Sequence, residues 1–351
     1  MERFLLWKLE ILSCHVTLAT RASDCFEAAS RNDRSGQVGE AIRRSLQLRR
    51  PLASSSSATC VATAPSISNQ KETSPQELPI LQEDQAIAPE LSEVINYTVA
   101  TTFKDFPDAE KWHFNQMASF NESKCLRFLS NEDDTRAFVE FARKRIARVY
   151  PKGTRTSSTN YDPIPLFNVG CQMVALNYQT ADRNMFYYLA AFAQNGGCGY
   201  VLKPSILRQS NFDVLQPPEE LKRNLTVQII SGQCLPKPEE PAFESDAIDP
   251  YVVVKVFGHP RDNHVRQTDF VKCNGFNPSW NETFEFEVNV PELAYLSFVV
   301  KHDSPTGRNA RLGEYTIPLS VMRPGYRHVH LRNGAFERIT PSTLFVYVSL
   351  D

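Results

Sequence analysis

The sequence predicts an α/β segment followed by an antiparallel β sandwich, both preceded by a disordered N-terminal region. Three observations predict this fold class: a low-complexity beginning, helix alternating with buried strand in the middle, and short β-rich runs towards the end. Of the 351 residues, 42% are hydrophobic and 22% are charged, which is enough apolar material for real cores. The formal net charge of −2 indicates no nucleic-acid partner.

Residues 1–87 are expected to be a low-complexity, linker-like region. Residues 1–70 contain the small-residue run LASSSSATCVATAPSIS and show no sustained helical or strand period. Such sequence cannot bury enough apolar area to offset its ordering entropy. The stretch 71–93 then carries six acidic residues against the single Lys71, which is typical of an acidic linker.

The opening residues and the cysteines predict a cytoplasmic location. Lys8 and Glu10 interrupt the apolar beginning, so it is not expected to act as a secretion signal. No segment provides the ~18 consecutive apolar residues of a membrane span. The eight cysteines include no C-x-x-C pair, which favours reduced thiols over a structural zinc site.

The α/β segment is expected over residues 88–209. Ser130 and Asp133 fit a capping box at the start of a helix predicted over 131–147. The nearly continuous apolar run at 169–178 predicts a parallel strand buried on both faces. A second strand is predicted at 200–204, and the glycine-rich loop before it is interpreted as a structural turn.

The β sandwich is expected over residues 222–351, with the boundary between the two parts at 210–222. Turn signals separate runs that are short and rich in β-branched and aromatic residues, as in an antiparallel sandwich. The predicted strands lie at 225–235, 250–258, 283–290, 294–302 and 343–350.

Two sets of strings carry a resemblance to a known family. The strings ARVYPKGTRTSSTNYDPIPLFNVGCQMVALNYQT (147–180) and NGGCGYVLKP (195–204) resemble the Y region of eukaryotic phosphoinositide-specific phospholipases C. DPYVVVKVFGHPRD (249–262) and PGYRHVHL (324–331) resemble the C2 domain that follows it. The resemblance is strongest to the delta-like group.

The resemblance implies an α/β half of a TIM-type barrel followed by an all-β C2 sandwich. In this family the X half precedes the Y half, and nothing in the first 70 residues resembles it. A complete barrel needs about 250 residues, so 88–209 is expected to supply half of the strands. An isolated half leaves two strand edges and an apolar interior face open. An X half or another chain must cover them, or else the protein misfolds.

By resemblance, Ser119, Arg148 and Tyr150 hold the inositol headgroup of the substrate. A guanidinium binds phosphate bidentately, a hydroxyl adds a hydrogen bond, and an aromatic ring packs on the inositol ring. From the residues alone, Arg148 is equally a cation placed after a helix C-terminus, and Tyr150 a core aromatic residue. Relatives often carry a bulky apolar residue where this sequence has Thr154, so membrane insertion there is expected to be weaker.

The chain alone is expected to be catalytically inactive. The resemblance assigns both catalytic histidines, and the carboxylates and asparagine that hold the catalytic calcium, to the X half. His113 is the only histidine between residues 88 and 257, and it is interpreted as a surface residue. A single imidazole without an acidic cluster is a poor site for metal-assisted or acid–base hydrolysis.

The C2 segment is expected to bind calcium poorly. Asp246, Asp249 and Asp303 remain as candidate ligands, whereas Ca²⁺ prefers ~6–8 oxygen ligands. His302, Ser304 and Ala310 stand where aspartates are usual. Loop 301–313 is instead cationic through Lys301, His302, Arg308 and Arg311. It is expected either to attract anionic lipid headgroups in a salt-sensitive way or to be a solvated loop without function.

Two functional hypotheses follow. The first is a truncated or mis-assembled sequence of a full phospholipase C, with this part supplying headgroup binding and membrane docking. The full enzyme would hydrolyse phosphatidylinositol 4,5-bisphosphate to diacylglycerol and inositol 1,4,5-trisphosphate. The alternative is a non-catalytic lipid-binding or scaffold homologue. Both place the protein in the cytoplasm and peripherally at membranes that carry anionic phosphoinositides.

Overall fold

The computed structural model of the protein describes residues 97–238, 247–304 and 309–351. The predicted disordered region at 1–87 and the candidate calcium ligand Asp246 lie outside the described residues. Arg308 of the cationic loop lies outside them as well.

The first part of the described chain is an all-parallel sheet covered on one face by helices. Its strand order is β1-β2-β3-β4. The strands are β1 (Val99–Ala100), β2 (Gln116–Asn121), β3 (Ile146–Tyr150) and β4 (Met173–Val174). The helices are α1 (Phe106–Glu110), α2 (Glu122–Leu129), α3 (Glu132–Lys144), α4 (Ile164–Asn168), α5 (Arg183–Phe192) and α6 (Ser205–Arg208).

Helix α3 corresponds to the helix predicted over 131–147, but a different residue caps it. The side chain of Asn131, and not that of Ser130, accepts a hydrogen bond from the backbone N–H of Asp134. Phe138, Phe141 and Ala142 are buried and form the apolar stripe of the helix. Three acidic residues in the first turn and two basic residues in the last turn complement the helix dipole.

Two predicted strands in this part are shortened or absent. Of the run 169–178, only Met173–Val174 pairs in the sheet, as the edge strand β4. Residues 200–204 are not a strand. Lys203 in that segment instead donates from Nζ to the backbone oxygen of Ala142 at 2.6 Å, and Pro204, which has no N–H for a strand ladder, leads into α6.

The second part is a β sandwich in which all strand pairs are antiparallel. Its strand order is β7-β6-β9-β10-β11-β12-β5-β8. The strands are β5 (Arg223–Gln233), β6 (Pro250–Phe257), β7 (His264–Gln267), β8 (Ser279–Val288), β9 (Tyr295–His302), β10 (Arg311–Pro318), β11 (Gly325–Arg332) and β12 (Arg338–Leu350). The five predicted runs correspond to β5, β6, β8, β9 and β12, whereas β7, β10 and β11 were not predicted.

The eight strands form two four-stranded sheets that meet at a seam between β10 and β11. These two strands pair only at Glu314 and Arg332. By contrast, β5 and β12 pair from Leu225–Leu350 to Gln233–Thr343. Fully buried side chains such as Ile229, Phe298 and Leu344 fill the space between the sheets.

The α/β part and the sandwich are in direct contact. The rings of Tyr187 on α5 and Phe257 on β6 lie 4.3 Å apart between centroids. The Asn168 side chain donates to the backbone oxygen of Gly258 at 2.7 Å. The backbone N–H of Ser205 donates to a carboxylate oxygen of Glu292 at 2.8 Å. Apolar and polar contacts therefore hold the parallel sheet in place against the sandwich.

Candidate functional site

The three predicted headgroup residues lie together on one face of the parallel sheet. Ser119 on β2 is the register partner of Arg148 on β3, and Tyr150 follows Arg148 on the same face at a spacing of two residues. Ser119 and Tyr150 are exposed, and Arg148 is half-buried. The alternate residues of the same strands, Phe120 and Val149, are buried under the helices. Because Phe120 and Val149 pack against the helices, the alternate side chains Ser119, Arg148 and Tyr150 lie on the opposite face of the sheet.

Arg148 is a cation without a carboxylate partner among the described residues. Its guanidinium carbon lies 5.5 Å from the centroid of the Tyr150 ring, on which it stacks. Such stacking orients a guanidinium without using its N–H donors. Ser119 adds a hydroxyl on the neighbouring strand. The arrangement suits an anion that carries phosphate groups and presents a ring face to the tyrosine.

The open face is mixed in character and not the apolar surface that a half barrel predicts. Met117 and Ile146 lie near the beginnings of β2 and β3, and Ser119, Arg148 and Tyr150 lie near their ends. Functional groups on parallel strands of barrel enzymes lie at the C-terminal strand ends. The polar end of this face is therefore the end at which chemistry is expected.

A buried ion pair joins the loops that follow β2 and β3. Glu122 begins α2 directly after β2, and its side chain is 3% exposed. Arg155, in the loop after Tyr150, donates from Nε and Nη2 to the two carboxylate oxygens at 2.7 and 3.0 Å. The hydrogen bond with Glu122 raises the pKa of Arg155, although burial opposes this effect. The bidentate pair thus fixes the loop beside Tyr150.

A second network anchors the far end of the same loop. Asn160 is 5% exposed, and its side chain accepts from the backbone N–H of Asn177 at 2.6 Å. Its backbone N–H donates to Asp182 at 2.9 Å. Asp182 also caps α5 by accepting from the N–H of Met185 at 2.9 Å. Burial acts to raise the pKa of Asp182, but these hydrogen bonds outweigh it and lower the pKa.

Asp182→Asn should destabilise the protein more at about pH 7 than at about pH 3. The pKa of an unfolded aspartate is about 3.9, and the folded value lies below it. The carboxylate therefore stabilises the fold fully above the unfolded pKa, and this contribution disappears as the pH falls through the folded pKa. Asparagine keeps the capping oxygen, so the substitution tests the charge. Urea unfolding of both proteins at the two pH values measures the difference.

Asp133→Asn is the matched control, because Asp133 also lies in a first helical turn but its side chain is 98% exposed. It should change the free energy of unfolding by no more than about 0.5 kcal/mol at either pH. An equal cost of Asp182→Asn at both pH values would contradict the role assigned to its charge.

His113 lies away from this polar end. It precedes β2, whereas Ser119 lies near the other end of that strand. Its side chain is exposed, and its Nδ1 lies 2.9 Å from Oδ1 of Asn115. Thr154, where relatives often carry an apolar residue, is exposed on the loop after β3.

Of the three candidate calcium ligands in the C2 segment, Asp249 and Asp303 lie in the described residues. Within them, no group of three or more histidine, cysteine, aspartate or glutamate side chains is arranged to hold a metal ion. One carboxylate oxygen of Asp249 accepts from the backbone N–H of Cys273 at 2.7 Å, which is a structural use of that group. Asp303 is linked to Asp249 through the backbone, its N–H donating to the Asp249 carbonyl at 2.9 Å.

Loop 301–313 is less cationic than its sequence indicates. His302 is 6% exposed, and its Nδ1 accepts a hydrogen bond from the N–H of Asp249. Arg311 pairs with the buried carboxylate of Glu314 at 2.9 Å. Of the cations predicted there, Lys301 remains as the described residue without an ion pair. No helix in the described ranges is long and apolar enough to cross a membrane.

Sequence reasoning missed Glu122, Arg155, Asn160 and Asp182. Glu122 follows the predicted Ser119 closely in the chain, but nothing local marks its partner at Arg155. The one available signal is that Glu122 and Arg155 each follow a strand whose residues were already assigned to the site. To infer that the two side chains form an ion pair, one must also know that β2 and β3 are parallel neighbours in the sheet.

Comparison with known proteins identifies the family. A family model described as "Phosphatidylinositol-specific phospholipase C, Y domain" matches residues 91–206, and one described as "C2 domain" matches residues 223–333. The chain belongs to the phosphoinositide-specific phospholipase C family. The predicted fold class, with an α/β barrel half followed by a C2 sandwich, is thereby confirmed.

Curated members of this phospholipase C family resemble the chain over three quarters of its length. The human 1-phosphatidylinositol 4,5-bisphosphate phosphodiesterase delta-4 is 42% identical over 269 residues, which cover 76% of this chain and 35% of that protein. The delta-1 protein of Rattus norvegicus is 42% identical over 272 residues, covering 76% of this chain and 35% of that protein. The chain therefore spans about a third of the length of these relatives.

A solved phospholipase C structure has the same fold. The crystal structure of L. pealei PLC21 matches with a TM-score of 0.66 and 34% sequence identity, covering 76% of this chain and 34% of that one. Members of this family and proteins with C2 domains are in general associated with calcium and membranes.

Proposed function

We propose that the described chain supplies the headgroup-binding part of a phospholipase C that acts on phosphatidylinositol 4,5-bisphosphate. The observation that supports this most is the placing of Ser119, Arg148 and Tyr150 on one polar strand end, with a guanidinium that no carboxylate of the described residues neutralises. The printed names of the relatives, 1-phosphatidylinositol 4,5-bisphosphate phosphodiesterases, favour the same substrate. The products of the reaction would be diacylglycerol and inositol 1,4,5-trisphosphate.

Each proposed residue has a distinct part in binding. The Arg148 guanidinium would donate two parallel hydrogen bonds to a ring phosphate. Ser119, one strand away, would donate its hydroxyl to the same or the adjacent group. The Tyr150 ring would cover an apolar face of the inositol. Glu122 and Arg155 touch no substrate in this proposal and act as positioning residues for the Tyr150 loop.

The remaining parts of the proposal concern partners, boundaries and location. We assign residues 88–209 to the Y region and 222–351 to the C2 domain. Strands β1 and β4 are the two edges of the described sheet, and an X half would extend it there into a closed barrel. The X half would carry the acid–base histidines and the calcium ligands of the reaction. The protein would work in the cytoplasm, peripherally at membranes that contain phosphoinositides.

Arg148→Gln should weaken inositol 1,4,5-trisphosphate binding at the strand ends by about tenfold or more, because one bidentate charged contact is lost. Hydrogen-exchange mass spectrometry of the segment 146–160 gives a local readout. Titration with the ligand should slow exchange there, and the concentration for half-maximal protection should rise in the variant. The full 351-residue chain is used throughout.

Arg127→Gln is the control of equal charge change, since Arg127 is exposed on α2 and close to the site along the chain. It should leave the protection of 146–160 unchanged. An absence of protection in the unsubstituted chain, or the same loss in both variants, would overturn the assignment. If a longer protein that contains an X half binds inositol 1,4,5-trisphosphate but does not hydrolyse phosphatidylinositol 4,5-bisphosphate, the non-catalytic alternative is favoured.

A further inference from the structure

A cationic groove lies on the sandwich at the seam between β10 and β11. Its volume is about 340 Å³, within the range of small-molecule sites. Because the two strands pair at a single position, they separate beyond it and leave the groove between them. It is lined by four arginines and two histidines, which are Arg323, Arg327, Arg332, Arg338, His328 and His330.

No carboxylate from the described residues lines this groove. Glu314, the nearest acidic residue along β10, precedes the groove residue Tyr315, so its side chain lies on the opposite strand face. There its carboxylate bonds Arg311. Four guanidinium groups therefore share one concave surface without an internal counter-charge, which leaves a strongly positive local potential.

Hydrogen bonds to backbone oxygens orient two of these guanidinium groups. Arg327 donates to the backbone oxygens of Arg323, Tyr326 and Pro324 at 3.1, 2.8 and 2.5 Å. Arg332 donates to the backbone oxygen of Phe336 at 2.8 Å. A guanidinium has five N–H donors, so the single bond of Arg332 and the three bonds of Arg327 orient these groups and still leave N–H donors for a ligand.

His330 lies close to other positively charged groups of the groove. Arg338 lies 2.8 Å from Nδ1 of His330. Burial first, and then the charges of Arg338 and His328, lower the pKa of His330. The positive charge of the groove therefore disfavours protonation of His330, and a bound anion would reduce the repulsion among the neighbouring cations.

We propose that this groove binds a compact anion carrying several phosphates on a small ring. Guanidinium groups match phosphate oxygens bidentately, and four of them exceed what a single phosphate can occupy. The groove also has apolar walls from Tyr315, Ile317 and Met322, which suit the carbon face of a ring. The site is separate from Asp249 and Asp303, which flank β6 and β9, and from the strand ends that carry Arg148.

The combined change Arg323→Gln and Arg338→Gln tests the proposal. Both side chains are exposed, and neither holds a backbone carbonyl among the described residues, so the fold should persist. The changes are made in an Arg148→Gln chain, in which binding at the strand ends is weakened. Calorimetric titration with inositol hexakisphosphate should show an affinity about tenfold or more weaker than that of the Arg148→Gln chain.

Arg223→Gln with Arg261→Gln, in the same background, is the matched control. Both arginines are exposed on the sandwich outside the groove, and the charge change is equal. The control should bind as the parent does. No binding by the parent, no effect of the groove changes, or an equal loss in the control would each overturn the proposal.

Vesicle binding separates the two sources of such an anion. Phosphatidylcholine vesicles with and without phosphatidylinositol 4,5-bisphosphate are sedimented with the same proteins. If the groove substitutions weaken binding to the vesicles with phosphatidylinositol 4,5-bisphosphate as well as to the soluble ligand, the groove binds lipid headgroups. A loss confined to the soluble ligand supports a site for a free polyphosphate. Because the background lacks Arg148, failure here leaves the proposed headgroup site unaffected.

Discussion

Arg155→Met should lower the free energy of unfolding by about 3–5 kcal/mol, which is the usual cost of leaving one member of a buried ion pair alone. The Glu122 carboxylate is 3% exposed, and both of its oxygens accept from Arg155. Methionine keeps the aliphatic stem and removes the guanidinium. Glu122 lies in the first turn of α2, where the helix dipole stabilises a negative charge. The cost is therefore expected near the lower end of that range. Urea unfolding monitored by circular dichroism measures it.

The reverse change, Glu122→Gln, should cost less, at about 1–3 kcal/mol. The Arg155 side chain is 19% exposed and lies on a loop, so the freed guanidinium can reach water. The double variant should be more stable than Arg155→Met alone, because no buried charge remains. Equal costs for the two single changes, or strictly additive costs, would show that the pair is not buried in the way described.

Phe120→Ala should also remove about 3–5 kcal/mol of stability, because it opens a cavity under the polar strand end. Phe120 is 1% exposed and meets the rings of Phe103, Phe138 and Phe141 at centroid distances of 5.0, 5.4 and 5.8 Å. The edge-on ring contacts are lost together with the buried area. The midpoint of urea unfolding should fall accordingly.

Phe276→Ala provides the comparison, because the Phe276 side chain is 74% exposed. It should alter stability by no more than about 0.5 kcal/mol. A small effect of Phe120→Ala would mean that the aromatic cluster repacks readily, and that Ser119 lacks a rigid support.

The strands of the sandwich were the most predictable part of the fold. Alternating apolar residues mark β5, and a continuous apolar run marks β6, because each buries a face in the core between the sheets. The strands β7 and β11 were missed since they carry mainly exposed or polar side chains. In β10, Gly313 and Glu314 interrupt the apolar pattern, although both are buried.

Strand lengths in the parallel sheet were not predictable from hydrophobicity. The run 169–178 is apolar because it is buried, but a parallel strand also needs a backbone partner at each position. Only Met173 and Val174 have register partners in β3, and the ladder ends with the N–H of Ala175, which donates to the backbone oxygen of Val149 at 2.8 Å. Residues 200–204 are only partly buried, with Leu202 52% exposed, and they form no strand; Lys203 there contacts Ala142 through its side chain.

The proposed headgroup residues Ser119, Arg148 and Tyr150 were predicted from the family resemblance and not from local pattern. The two-residue spacing of Arg148 and Tyr150 on a strand does predict a shared face. The alignment with Ser119 depends on the register of β2 against β3. The seam groove was invisible in the sequence, since its arginines come from β11, β12 and the segment before β11 and meet only where two strands separate.

The pairing of Leu225 with Leu350 makes the first strand of the sandwich a neighbour of its last. During synthesis, β5 leaves the ribosome long before β12, and it must wait for that strand before its sheet can close. Contacts so distant in sequence raise the contact order, which slows folding. Until β12 arrives, β5 and β8 form at most a two-stranded pair, which is marginally stable in water. A nascent chain therefore exposes apolar strand faces for most of the synthesis of this domain, a period in which chaperones would be engaged.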